Sequence, residues 1–214
     1  MQHDVFHISP QHTETARTVL QKFLEVRNNK PKSILTIAGE VGSGKSTIAH
    51  LLARDLKDLQ IRAKIMSMDD FYRIKPLERQ SWREKQGIDA VGFSEIDWIT
   101  IDRVIKDFLQ DRRSFVPSVD LITDYVDRLE TDFKGVDVLI FFGLYSLRIA
   151  QSDLKVFIEH TYHETMEAQA KSRKEVIDDF RLKILEREHE EVMSLKKLAD
   201  FYVDFDTGLE FYHL

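Results

Sequence analysis

The chain of 214 residues contains no cysteine. A disulfide framework and a thiolate metal site are therefore both excluded, and cysteine nucleophile chemistry with them. No apolar run is long enough to cross a bilayer, and the opening residues, MQHDVFHISPQHTE, carry acids where a signal peptide would carry an apolar core. The expectation is a soluble, cytoplasmic protein without a membrane partner. Basic excess is missing too: 31 lysines and arginines stand against 37 acids, a net charge of −6. Such a surface argues against general binding to a nucleic acid backbone, although a local basic cluster can still hold phosphate. There is no repeat, low-complexity tract or linker, and 43% hydrophobic content suits one domain, 1–214, with a full core.

What is present alternates in type along the chain. Ser9 and Pro10 read as a helix start, Ala16, Val19, Leu20, Phe23 and Leu24 share one helical face, and Asn28, Asn29 and Pro31 end it. Ser33 to Ala38 is short, β-branched and apolar, as a strand covered on both faces requires. A helical stripe of Ile48, Leu51, Leu52 and Leu56 follows, and then a strand from Ala63 to Ser67. Strand, helix and strand within about thirty-five residues make a βαβ unit, and so a parallel sheet. Trp98, Ile101, Ile105 and Phe108 mark another helix, and Val136 to Phe142, Leu154 to Glu159 and Phe201 to Phe205 mark further strands. Val192, Leu195 and Leu198 close a charged helical stretch beginning near Thr161. The predicted fold class is a doubly wound, mostly parallel α/β domain.

Between the first strand and its helix stands LTIAGEVGSGKSTIAHLL, Leu35 to Leu52. Gly39, Gly44, Lys45 and Ser46 satisfy G-x-x-x-x-G-K-[ST], and Gly42, Ser43 and Thr47 add to the loop. Glycines allow successive N–H groups to turn round an anion, and the helix opening near Lys45 aims its positive end at the same point. Lys45 is then a point charge for the outer phosphates of a triphosphate, and the Ser46 hydroxyl a ligand for Mg²⁺. The plainer alternative is a Gly-rich turn with a solvated lysine, which the strand–loop–helix setting disfavours. Asn28 and Asn29 are the only asparagines and precede the loop, so an N-K-x-D guanine reader is missing. No LSGGQ-like segment follows, and no apolar strand ends in Asp-Glu, which argues against a transporter ATPase.

What does follow is KIMSMDDFYRI, a strand bringing Asp69, Asp70, Phe71 and Tyr72 to its carboxyl end, where open parallel sheets place their ligands. The order GxxGSGKST and then S-x-D-x-F-Y-R, Ser67 to Arg73, resembles the uridine kinase and phosphoribulokinase family of P-loop small-molecule kinases. Softer likenesses run from about 33 to 205, through FVPSVDLITDYVDRLET, VDVLIFFGLYSL, LKVFIEHTYHETMEAQAKSRKE and LADFYVDFD. The resemblance implies a P-loop kinase domain with a small β-hairpin at about 113–134 and a helical lid at about 162–190 over the acceptor site. It implies ATP- and Mg²⁺-dependent phosphorylation of a hydroxyl on a small metabolite, with a nucleoside such as uridine or cytidine favoured. Pantothenate, glycerate, a sugar or a sugar phosphate are the alternative acceptors, and a nucleotide-binding regulatory protein with reduced catalysis is the alternative class. A nucleic-acid kinase is disfavoured by the acidic balance, and a homo-oligomer is left open.

The same resemblance distributes roles. Lys45, Asp69 and Arg173 are the expected catalytic residues, Asp69 as the base with Asp70 as its alternative, and Ser46 and Asp69 are the expected Mg²⁺ ligands. Gly39, Gly42, Ser43, Gly44, Lys45, Ser46 and Thr47 would hold the nucleotide, and Asp70, Tyr72 and Asp120 the acceptor. Each outlying residue also has a plainer reading. The aspartate pair could cap a turn, and neighbours on an extended chain face opposite ways. Tyr72 could simply pack, Asp120 could be an ordinary hairpin carboxylate, and Lys171, Arg173 and Lys174 a solvated face. EREHEEV around His189 reads as exposed helix. The sequence also departs from the family: Phe142 stands before Gly143 where the family's E-G pair places a carboxylate near the metal. Either Asp69 or Asp70 takes over part of that work, or catalysis is weaker.

Overall fold

The computed structural model describes residues 8–120, 123–165 and 178–204. Helix α1, Pro10–Arg27, starts where a capping box forms. The Ser9 hydroxyl accepts the His12 N–H at 3.2 Å while His12 Nδ1 accepts the Ser9 N–H at 3.1 Å. Asn28 in the left-handed region closes it, and Ala16, Val19 and Phe23 turn inward. Strand β1, Ser33–Gly39, is buried throughout, as expected of a central parallel strand. Helix α2, Lys45–Asp58, and strand β2, Ala63–Ser67, complete the first βαβ unit.

Two helices follow, α3 at Pro76–Gln86 and α4 at Trp98–Leu109. Strands β3, Arg113–Asp120, and β4, Tyr125–Asp132, then form a separate antiparallel hairpin within the expected span. The main sheet resumes with β5, Val138–Phe142, β6, Leu154–Ile158, and β7, Phe201–Val203, with helix α5, Asp179–Leu195, before the last strand. All five strands of that sheet are parallel, in the order β2-β5-β1-β6-β7.

Alternation along the strands splits the core into two layers. Val138, Ile140 and Phe142 of β5 pack with α1 and α2, whereas Leu139 and Phe141 pack with α4 and α5. Helices on both faces make the sheet doubly wound. Because β1 has β5 on one side and β6 on the other, the strand order reverses beside it. The crevice beside this reversal, at the carboxyl ends of the strands, is the place such sheets offer to a ligand.

Two expectations need correction, and one helix stands where none was expected. The chain after Ser67 is not extended, since Met68–Phe71 makes a 3₁₀ turn. The late helix ends at Leu195, and Leu198 sits in a 3₁₀ turn with 41% of its surface exposed. Helix α3 gave no sequence signal, because it is polar on every side and Arg83 is its only buried residue. Lys171, Arg173 and Lys174, with most of the expected lid, lie outside the described residues, as does Phe205.

Candidate active site

The glycine loop begins where β1 runs closest to β6. A Cβ on Gly39 would sit 2.8 Å from both the Ile158 carbonyl oxygen and Ser43 Oγ, so only glycine passes there without displacing backbone. Gly44 precedes α2 at φ 85°, a left-handed conformation that glycine adopts without strain, and no side chain caps the helix there. The first-turn N–H groups at Lys45, Ser46 and Thr47 are thus left to an outside acceptor, which is an anion site.

Lys45 folds back across this loop. Its Nζ donates to the Glu40 carbonyl at 2.5 Å and lies 3.4 Å from Ser43 Oγ. Burial pulls its ammonium down to about 8, against the raising influence of the Asp69, Glu40 and Glu188 carboxylates. A half-buried cation among acids, beside uncapped amides, is a donor that a phosphate oxygen could engage in place of the carbonyl. Ser46 is partly exposed in the first turn of α2, and Thr47 is buried beside it.

Asp69 and Asp70 part company at the turn after β2. The Ser67 hydroxyl accepts the Asp69 N–H at 3.2 Å, and Met68 and Phe71 enter the core, which leaves Asp69 exposed. Asp70 turns to the hairpin, where its Oδ1 accepts the Val119 N–H at 3.1 Å. Burial pushes its carboxyl up to about 6; the Val119 bond opposes this and Asp69 adds to it. Asp120, next along β3, is exposed, and its Oδ1 accepts the Thr123 N–H at 3.4 Å. The Tyr72 ring lies under the Arg79 guanidinium, 3.6 Å from its centroid. Burial raises the Tyr72 phenol well above the usual range, and Glu188 and Asp69 push the same way.

The structure thus gathers Lys45, the glycine loop, Ser46 and Asp69 at the crevice, sets Asp70 and Asp120 at the hairpin, and lays Tyr72 against Arg79 of α3 instead. Phe142 closes β5 only 8% exposed, packed on the α1–α2 face, and offers no oxygen to the crevice. One hydroxyl and one carboxylate remain as donors for a divalent cation. That set fits Mg²⁺, which keeps several waters and binds through one or two carboxylates together with substrate phosphates.

Sequence reading missed the residues behind the loop, and there the exposed-helix expectation for EREHEEV is wrong. Glu188 and Val192 are buried, and His189 Nδ1 lies 2.7 Å from Oε1 of buried Glu40. Glu188 meets Arg83 at 3.0 Å and Arg181 at 3.6 Å, while Arg83 makes a two-pronged bridge to Glu95 at 2.7 and 2.9 Å. Burial raises the Glu188 carboxyl, and Arg83 and Arg181 hold it back. A signal existed: Ile184, Leu185, Glu188, Val192 and Leu195 follow helical spacing, with one acid inside an apolar stripe.

A doubly wound parallel sheet with a glycine cradle at the end of β1 defines a P-loop nucleotide-binding protein. The model of the phosphoribulokinase / uridine kinase family matches residues 34–165, more than half of the chain, and the chain belongs to that family. Uridine kinases of Ureaplasma urealyticum and Ureaplasma parvum are each 29% identical to it, over 136 and 137 residues and 62% of this chain. The aligned stretch spans 64% of those relatives' length. Among solved structures, D-glycerate 3-kinase from Cryptococcus neoformans superposes with a TM-score of 0.64 at 17% identity, covering 96% of this chain and all of that one. That likeness is one of fold. No helix among the described residues is long and apolar enough to cross a membrane.

Proposed function

We propose that this protein is an ATP- and Mg²⁺-dependent kinase that phosphorylates a hydroxyl of a small metabolite, with a pyrimidine nucleoside such as uridine or cytidine as acceptor. The observation that carries the reading is Lys45, half-buried at an uncapped helix start, with the exposed Asp69 carboxylate close enough to act on its charge. Phosphoryl transfer to an alcohol needs a cradle, a cation for developing charge and a carboxylate for the acceptor proton. Here the amides of Gly42 to Thr47 would bind the phosphates, and Lys45 would exchange its hold on the Glu40 carbonyl for the outer phosphate oxygens. Asp69 would accept the hydroxyl proton. Ser46 and Asp69 would hold Mg²⁺, which supplies charge neutralisation across the phosphates. Asp70, Tyr72 and Asp120 would contact the acceptor: Asp70 fixes the hairpin through Val119, and Tyr72, braced by Arg79, would offer a wall. Arg173 is kept as the cation that would close over the phosphates. Family membership and the uridine kinase relatives favour the nucleoside.

The test is an ADP-release assay across uridine, cytidine, purine nucleosides, pantothenate, glycerate, sugars and sugar phosphates. Turnover with a pyrimidine nucleoside supports the reading, and turnover only with another acceptor keeps the kinase and replaces the substrate. If none is phosphorylated while ATP binds, the second reading takes over: a nucleotide-binding regulatory protein, favoured by the apolar Phe142 at the end of β5.

A further inference from the structure

Glu40, the second residue of the loop, has no task in the reaction outlined above, yet it is only 4% exposed. Both of its carboxylate oxygens have partners. Oε2 accepts the Tyr162 N–H at 2.8 Å, and Oε1, as an ionised carboxylate oxygen that can only accept, receives a hydrogen bond from His189 Nδ1–H at 2.7 Å. The next carbonyl, that of Val41, accepts the Thr165 hydroxyl at 2.9 Å. On the other side of the same residue, the Glu40 carbonyl receives Lys45 Nζ and the Ser43 N–H. A single residue thus joins the loop's lysine, through the main chain, to α5 and the Tyr162 turn, through the side chain. Tyr162 closes the circuit, because its hydroxyl donates to Glu186 Oε2 at 2.6 Å, one turn before His189 on α5.

A buried carboxylate beside a phosphate site is an electrostatic burden, for it repels the ligand that Lys45 attracts. Its charge already acts on Lys45. It is tolerable only where donors saturate it, and losing one of them leaves a buried charge uncompensated. We propose that Glu40 and His189 are a pair of positioning residues for nucleotide binding. The imidazole fixes the phosphate loop against α5 and satisfies the loop's own negative charge, so that the charge does not oppose a bound triphosphate. The proposal rests on reading residues 39–47 as a triphosphate site, and it makes a prediction of sign that mere packing does not. Removing the imidazole alone is worse than removing the carboxylate's charge, and removing both restores part of the loss.

The experiment is titration calorimetry of the full chain with ATP and Mg²⁺, with ligand-free melting as a folding control. His189→Leu is expected to weaken binding by about tenfold or more, and Glu40→Gln by less than about threefold. The double variant E40Q/H189L is expected to bind ATP more tightly than H189L alone. Should H189L fail to fold, His189→Asn, which returns a donor at the Nδ1 position, is compared with His189→Gln, which moves it to the Nε2 position. The Asn variant is then expected to bind near wild-type strength and the Gln variant more weakly. H189L within twofold of wild type, losses that simply add in the double variant, or equal affinity of the Asn and Gln variants overturns the proposal while the triphosphate site stands. Wild-type protein that binds no ATP overturns the site itself and the proposal with it.

Discussion

Asp69 and Asp70 are chemically identical neighbours whose surroundings separate them. Asp69 is exposed and its charge acts on Lys45, so Asp69→Asn would remove both the proposed proton acceptor and the one carboxylate proposed for Mg²⁺ while leaving the amide cradle in place. Turnover is expected to fall by about 10² to 10⁴, with affinity for metal-free ATP changed little, as steady-state kinetics and calorimetry without Mg²⁺ together would report. Asp70 instead carries a cost. Burial moves its carboxyl from 3.8 to about 6, so folding favours the protonated form. The stability this confers is full below the unfolded value and lost as pH rises through about 6. At pH 7.5 the ionised group therefore disfavours the fold by about 1 to 2 kcal/mol after allowance for solvent screening. Asp70→Asn keeps an oxygen for the Val119 N–H and sheds the charge. It should raise the melting temperature at pH 7.5 by roughly 3 to 6 °C and much less near pH 4.5. A lower melting temperature at pH 7.5 would mean that the hairpin dock needs the charge. Lys45 shows the converse sign: burial lowers its ammonium to about 8, so the charged fraction of the free protein shrinks as pH rises past that value. The kcat/KM for ATP should decline above pH 8 in the wild type, and stay flat over the same range in Lys45→Arg, whose guanidinium keeps its proton.

Helix α3 is held to α5 by charge rather than by apolar contact. Arg83 reaches Glu95 in the turn before α4 and Glu188 on α5, and all three residues are at most 5% exposed. Arg83→Met leaves Glu95 buried without its cation and Glu188 with only Arg181 at 3.6 Å, a loss expected to cost about 3 to 5 kcal/mol in urea unfolding at pH 7.5. Glu188→Gln should cost less, because burial already favours the neutral form of that carboxyl. The same contrast explains what the sequence could announce. Helices α1, α2 and α4 were readable because their apolar residues recur at helical spacing. Strand β1 was readable because it is short, β-branched and apolar throughout. Helix α3 has no such stripe, and its one inward residue finds Glu188 from 105 positions away. Charged pairing at that range leaves no periodic trace. The inward face of α5 was misread because Glu188 and His189 look like solvated helix until Arg83 and Glu40 are set opposite them.

Over the whole molecule, the proposed phosphate side of the crevice was legible and the proposed acceptor side largely was not. Residues 39–47 form one contiguous motif at a place dictated by the order strand, loop, helix. The opposite side draws on β3, α3 and the turn after β2, whose meeting depends on contacts such as Asp70 with Val119, 49 positions apart. The loop is also where distant parts of the molecule join. Gly39 lies against β6, Glu40 is held by α5, and α2 starts from Gly44 and covers one face of the sheet. A ligand taken up only by that assembled loop stabilises the folded chain as a unit. At a Mg·ATP concentration about 100 times the dissociation constant, the gain is about 2.7 kcal/mol, or roughly 5 to 10 °C in melting temperature for a chain of this size. Lys45→Met should lose most of that shift, because the outer phosphates lose their cation. Without ligand, the same variant should melt at or above the wild type at pH 7, since folding lowers the lysine's affinity for its proton and so disfavours the charged form. Differential scanning calorimetry of both proteins, with and without Mg·ATP and with no acceptor present, reads both signs in one experiment. Equal ATP-induced shifts in the two proteins would show that the nucleotide does not meet Lys45.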